Sequence, residues 1–267
     1  MTREEKPLSS FLRGVFWFVV VNSTAGALSL ILFPDKTETL FFWKITPPIN
    51  AMLVGSMYLV ASVAVGYAAL RGTWETARLI LAMGFGLSVV LLASTLMHVD
   101  RFVPGAKLYY WLFVYFIFPV AVAIVYWQYE KGGTSWQVIR QAVHPNTRLA
   151  ALVMGSSLLL IALVGFILPS LYINIGIWKT SELMIRVFVS WVTALSISNL
   201  WFLVEKEWTR LSMVPYMLMA TPVVVLTMML LNRSDLTGSP FFLVLYGLAL
   251  AAMAAFGVFM LWNQRRA

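Results

Sequence analysis

The residues best able to do chemistry in this 267-residue chain stand at two places. Phe42-Trp43-Lys44-Ile45-Thr46-Pro47-Pro48-Ile49-Asn50 offers an indole, an amide and two prolines, and His98-Val99-Asp100-Arg101 offers an imidazole, a carboxylate and a guanidinium. An imidazole can donate, accept or titrate near neutral pH. A carboxylate beside it can orient the ring, so His98 and Asp100 form a candidate acid–base pair, while Arg101 can hold an anionic headgroup or a carboxylate. Tyr58 and Tyr115 add phenols in neighbouring apolar runs. The candidate binding set is Trp43, Pro47, Asn50, Tyr58, His98, Asp100, Arg101 and Tyr115. A plainer origin competes with this: His-x-Asp-Arg can mark a helix end with solvated charges, and a Pro pair suits a first helical turn. One site requires these side chains to converge to contacts of ~3–4 Å.

What must position them is a membrane bundle. The chain is 61% hydrophobic and 11% charged, with a mean hydropathy of +0.84. Ordinary soluble domains carry about 25% charged residues, so lipid must solvate much of this surface. Apolar runs long enough to cross a bilayer lie near 11–33, 49–70, 78–98, 108–129, 149–170, 184–204, 212–232 and 240–263. The predicted fold is an all-α integral membrane protein of about eight spans. The first run has the basic flank of a signal peptide and an Ala25-Gly26-Ala27 segment, but it continues to Phe33 and is read as a retained span. Counting Lys and Arg on alternate sides gives 12 against 7. That bias predicts a plasma-membrane protein with both termini cytoplasmic.

An offset of 135 residues aligns the two halves. Phe33-Pro34 matches Leu168-Pro169, Trp43-Lys44 matches Trp178-Lys179, and Trp127-Gln128 matches Trp262-Asn263. Trp74 meets Trp208 with a one-residue slip. The expected organisation is therefore two parallel four-helix repeats, 1–135 and 136–267. Where the copies differ, Pro47 and Pro48 face Glu182 and Leu183, Asn50 faces Ile185, Tyr58 faces Thr193, and Tyr115 faces Leu250. This asymmetry points to the outer rim of the first repeat.

Other polar residues within spans, such as Asn22, Ser23, Thr24, Ser196 and Asn199, are expected to face the bundle interior and fix packing. Glu182 and Arg186 have the spacing of a helical ion pair. His144 reads as a loop residue, and 130–148 as a short amphipathic segment along the headgroups.

The exclusions are equally informative. Cysteine is absent and there are two histidines, so thiolate chemistry and multi-imidazole metal or haem sites are not expected. The net charge of +8 lies between apolar runs, as membrane insertion favours, and does not call for nucleic acid. No acidic residue sits at the centre of a span, which argues against ion-coupled transport. No cofactor is expected. Three functions fit: binding or translocation of a small apolar or amphiphilic, lipid-like molecule; an enzyme acting on a lipid or isoprenoid through His98 and Asp100; and an accessory subunit of a membrane complex. Expected partners are membrane lipids, a small amphiphilic ligand and a membrane-protein partner.

Overall fold

The computed structural model describes residues 5–131 and 139–266. Among these residues there is no strand, and eight helices are long and apolar enough to cross a membrane. They are α1 (Ser10–Leu32), α2 (Pro48–Arg71), α3 (Trp74–Met97), α4 (Ala106–Glu130), α5 (Pro145–Ile167), α6 (Glu182–Leu200), α7 (Met213–Leu231) and α8 (Pro240–Gln264). Three of them, α2, α5 and α8, open on proline, whose missing N–H costs nothing in a first turn. Ser9 caps α1 and Ser181 caps α6 through their hydroxyls, each accepting from a backbone N–H three residues on. His144 is a capping residue too: its Nδ1 accepts from Asn146 N at 3.2 Å at the start of α5.

Helices α3 and α5 differ from the sequence reading in their bounds. Helix α3 starts at Trp74 rather than near 78, because Glu75 and Arg78 are buried against other protein elements and need no water. Helix α5 covers 145–167 rather than 149–170. Its end precedes Pro169, which cannot continue the ladder and opens a short separate helix, Pro169–Asn174. Within the loop 130–148, residues 132–138, Trp136 among them, lie outside the described residues.

Packing is pairwise: α1 lies on α2, α5 on α6, α3 on α6, and α7 on both α8 and α2. A Cβ at Gly55 would stand 2.8 Å from Ile31 and 3.0 Å from the Ala27 carbonyl, so α1 and α2 meet almost backbone to backbone. Ser23 and Ser62 hydroxyls bridge the same pair at 2.8 Å. Asn22 behaves otherwise than expected: it is exposed, and its amide donates to Phe18 O on its own helix at 2.8 Å. An intrahelical bond satisfies it without a neighbour. Helices α2, α3, α6 and α7 form the centre, while α4 and α8 present their apolar faces outward. On α4, Phe113 and Trp127 are more than 60% exposed, as side chains facing hydrocarbon would be.

The first and last described residues, 5 and 266, lie at one end of the bundle, called here the terminal end. There Leu8 N donates to Gly72 O and Trp74 N to Lys6 O; Val143 N donates to Lys206 O and Trp208 N to Gln141 O. At the far end, Val103 N donates to Phe42 O and Gly238 N to Ile177 O. Each of these loop contacts in residues 5–131 has a counterpart in residues 139–266.

Candidate functional site

Six of the eight residues singled out from the sequence stand at the far end, in separate settings, and Tyr58 and Tyr115 lie two to three turns deeper in α2 and α4. Trp43, buried, packs against Phe41, Phe102 and Trp111 with ring centroids 4.8, 5.0 and 5.3 Å away. Tyr115 stacks obliquely on Trp111 at 4.4 Å, and its hydroxyl lies 3.5 Å from that of Tyr58. These three predicted residues therefore share one aromatic cluster, joined by Leu183, Met184 and Val187 of α6. Pro47 precedes α2 in an extended conformation and places Pro48 at its first position.

Asn50 is fully buried, and two of its three partners come from the other half of the chain. Its Oδ1 accepts from Trp178 Nε1 at 2.8 Å, and its Nδ2 donates to Lys179 O and Thr46 O, both at 3.0 Å. Asp235 accepts from Ile49 N at 3.3 Å, so the start of α2 is held by two distant loops. Asn50→Leu would strand the Trp178 indole N–H and the Lys179 carbonyl in an apolar setting. The expected loss is about 2–3 kcal/mol, read as a lowered melting temperature of the purified protein; an unchanged melting temperature would show the link to be idle.

His98 turns toward Arg186, whose Nη1 lies 2.7 Å from its Nε2. Arg186, only 6% exposed, also donates to Phe166 O at 3.2 Å and pairs with Glu182 at 3.1 Å, the spacing expected from sequence. Asp100 pairs instead with Arg101 at 3.2 Å, both about 70% exposed. Burial and the Arg186 charge, with Arg101, lower the His98 pKa from 6.5, outweighing Glu182 and Asp100. A depressed histidine contributes stability that is complete above pH 6.5 and lost as pH falls through its folded value. Melting temperatures should therefore decline on acidification below 6.5, and His98→Asn should flatten that part of the profile. A wild-type profile unchanged by the substitution would refute the contact.

The terminal end contains a cluster that the sequence reading did not single out. Arg78, 0% exposed, ion-pairs with Glu205, 1% exposed. Arg210, also buried, reaches Glu205 at 3.5 Å and Glu5 at 3.6 Å. Glu205 accepts further bonds from the backbone N–H groups of Lys206 and Glu207, both at 3.0 Å. The Tyr126 hydroxyl donates to Arg78 O, and Trp74 Nε1 donates to Glu130 at 2.7 Å. Burial pushes the Glu207 carboxyl up, but N–H groups of Gln141, Arg140 and Thr209 and the Thr209 hydroxyl outweigh it and hold it below the usual range. This network ties α3, α4, the α6–α7 loop and the N-terminal segment together. Its traces in the sequence are Glu75 and Arg78 near the start of α3 and the charged run Glu205-Lys206-Glu207 with Arg210.

Between the two ends lie two adjoining apolar cavities. The one nearer the far end, about 310 Å³, is walled by α2, α5, α6, α8 and the segment before α6. The deeper one, about 320 Å³, is walled by α2, α3, α5, α6, α7 and α8. Met57, Ile161, Val192, Tyr246 and Ala249 line both. None of the eight residues singled out from the sequence lines either chamber. Two of the lining residues carry a polar atom that is buried and without a partner among the described residues, Thr180 Oγ1 beside the first chamber and Trp191 Nε1 beside the second, and neither atom has surface open to the chamber. Such a group prefers a partner by about 1–3 kcal/mol.

No protein-family model, curated protein or solved structure matches this chain. Fold and composition define its class: a multi-pass α-helical membrane protein.

Proposed function

We propose that this protein binds a small apolar or amphiphilic, lipid-like molecule in the paired central cavity and holds or passes it within the membrane. The carrying observation is a chamber pair built from six spans, nearly all apolar at its walls and lined by no Asp, Glu, Lys, Arg or His. Ligand sites are typically concave, mostly apolar and furnished with few polar groups, in a volume of about 300–1,000 Å³.

The repeat reading supports this placement. Two copies of a four-helix unit, 1–135 and 136–267, would bury their shared surface through α2, α3, α6 and α7, and a cavity there needs both copies. The matched loop bonds Leu8–Gly72 and Val143–Lys206, and Val103–Phe42 and Gly238–Ile177, favour such a duplication. The distribution of Lys and Arg favours a plasma membrane with both termini cytoplasmic.

Extraction of the purified protein with organic solvent tests the reading. A lipid-like molecule should be recovered at close to one per chain after washing in mild detergent. Recovery of only the bulk lipid mixture, in proportion to its abundance, would count against it.

A further inference from the structure

Granted that the paired chambers are a binding site, as proposed above, the hydrogen-bonding side chains on their walls restrict what enters. Most are engaged: Tyr172 donates to Ile161 O at 3.0 Å, Trp178 to Asn50 at 2.8 Å, and Thr221 to Met217 O at 2.8 Å. Thr180 Oγ1 and Trp191 Nε1 have no partner among the described residues, but protein atoms cover both, so nothing in the chambers reaches them. Two hydroxyls are neither bonded within the described residues nor covered: Ser157 in the deeper chamber, and Tyr246 in the wall that both chambers share. A serine hydroxyl on a helix can turn to the carbonyl four residues back, as Ser23 and Ser29 do here at 2.7 and 2.8 Å. A phenol hydroxyl stands too far from its own backbone for that. Tyr246 therefore needs its partner from the chamber, and its O–H can donate as well as accept.

The Tyr246 ring is seated edge-to-face on Trp178, with centroids 5.8 Å apart, and the Trp178 indole is itself held by Asn50. Six apolar residues of α8, Pro240 to Leu245, precede Tyr246, or about 9 Å of helix. That depth lies beyond the headgroup level at which tyrosines commonly anchor a span. Met57, Ile161, Val192 and Ala249 share the junction with it, and the walls run apolar on both sides. The hydroxyl thus calls for a polar atom between two apolar stretches of the ligand, not at one end. An ionised group there would lose its hydration and meet no opposite charge. Of the first chamber's wall residues, Ile161 and Leu245 are 43% and 51% exposed on α5 and α8. Both lie within the apolar length of their helices, so the approach is from hydrocarbon.

We infer that the chambers hold a neutral chain with a ketone or ester carbonyl at an internal position, and that this oxygen accepts a hydrogen bond from the Tyr246 hydroxyl. Four probes of one chain length separate the elements of this assignment: 7-tridecanone, 2-tridecanone, tridecane and tridecanoate. The delipidated full chain in nanodiscs is equilibrated with all four at pH 9 and repurified. Retained probe per chain is then quantified by gas chromatography with mass spectrometry, against empty nanodiscs. 7-Tridecanone should be retained about five- to tenfold more than tridecane, the worth of one buried hydrogen bond. It should exceed 2-tridecanone by a similar factor, because a terminal carbonyl reaches Tyr246 only by leaving one chamber unfilled. Tridecanoate should be retained at least tenfold less. Tyr246→Phe keeps the ring on Trp178 without the donor and should bring 7-tridecanone down to the level of tridecane. The wild-type ranking is itself a test, whether or not the variant folds.

A Tyr246→Phe protein that keeps the preference for 7-tridecanone would overturn the inference, as would 2-tridecanone or tridecanoate retained as well as 7-tridecanone. Tridecane equal to 7-tridecanone in the wild type would also overturn it, while leaving the cavity a binding site. Retention of no probe above the level of empty nanodiscs would refute the cavity reading itself.

Discussion

Replacing Glu205 by alanine is expected to destabilise the protein more than a change at any other single ion pair. Glu205 stands at the centre of the terminal-end network, facing Arg78 and Arg210, both at most 4% exposed. Removing the carboxylate leaves two guanidinium groups together in a site screened from water. Breaking a buried pair by deleting one partner typically costs about 3–5 kcal/mol, because the remaining charge stays buried. Three features place this case toward the upper part of that range: the carboxylate serves two arginines, it accepts two backbone N–H groups, and its loop joins α6 to α7. Glu205→Gln should lose less, since an acceptor remains. The paired change Arg78→Met with Glu205→Leu should recover part of the loss, because apolar replacements of a buried ion pair are often tolerated. Thermal unfolding in detergent reads all three. By contrast, Glu38→Ala removes a pair with Lys44 in which both side chains are about two-thirds exposed, and should shift unfolding little.

The second large effect is on ligand retention. Val192 lines both chambers, so Val192→Trp places an indole where they meet. In a filled core, added bulk costs about 1–3 kcal/mol through strain. Here the side chain enters empty volume, and stability should change little. A bound chain that runs through both chambers would lose its path, and retained ligand per protein should fall at least tenfold. Quantifying lipid extracted from matched wild-type and variant preparations checks this. Strong destabilisation with ligand retention unchanged would mean that the chambers are not the binding space.

The spans were legible because a run of about 20 consecutive apolar residues matches the thickness of the hydrocarbon core and exceeds what a buried core helix needs. Their ends were less so. Arg78 and Glu75 look like headgroup residues in a linear reading, and only the Glu205 and Arg210 side chains opposite turn them into an interior cluster. Asn50 stood out in the sequence as a candidate binding residue, but the indole that holds its amide, Trp178, is 128 positions away. His98 and Asp100 are neighbours in sequence, yet the 3₁₀ turn Val99–Arg101 after α3 accompanies separate partners: His98 meets Arg186 and Asp100 meets Arg101. The cavity was the least legible feature. Its walls are rich in Val, Met, Ala and Leu, the residues that also fill cores, Met217 of the deeper chamber among them. A void depends on how six helices meet, and no single segment records it.

The central claim is that the two chambers hold a lipid-like molecule, and direct imaging of the protein in a lipid nanodisc tests it most closely. One elongated density should run past Val192 and occupy both chambers. Chambers that are empty, or closed by inward movement of α5 and α8, would contradict it.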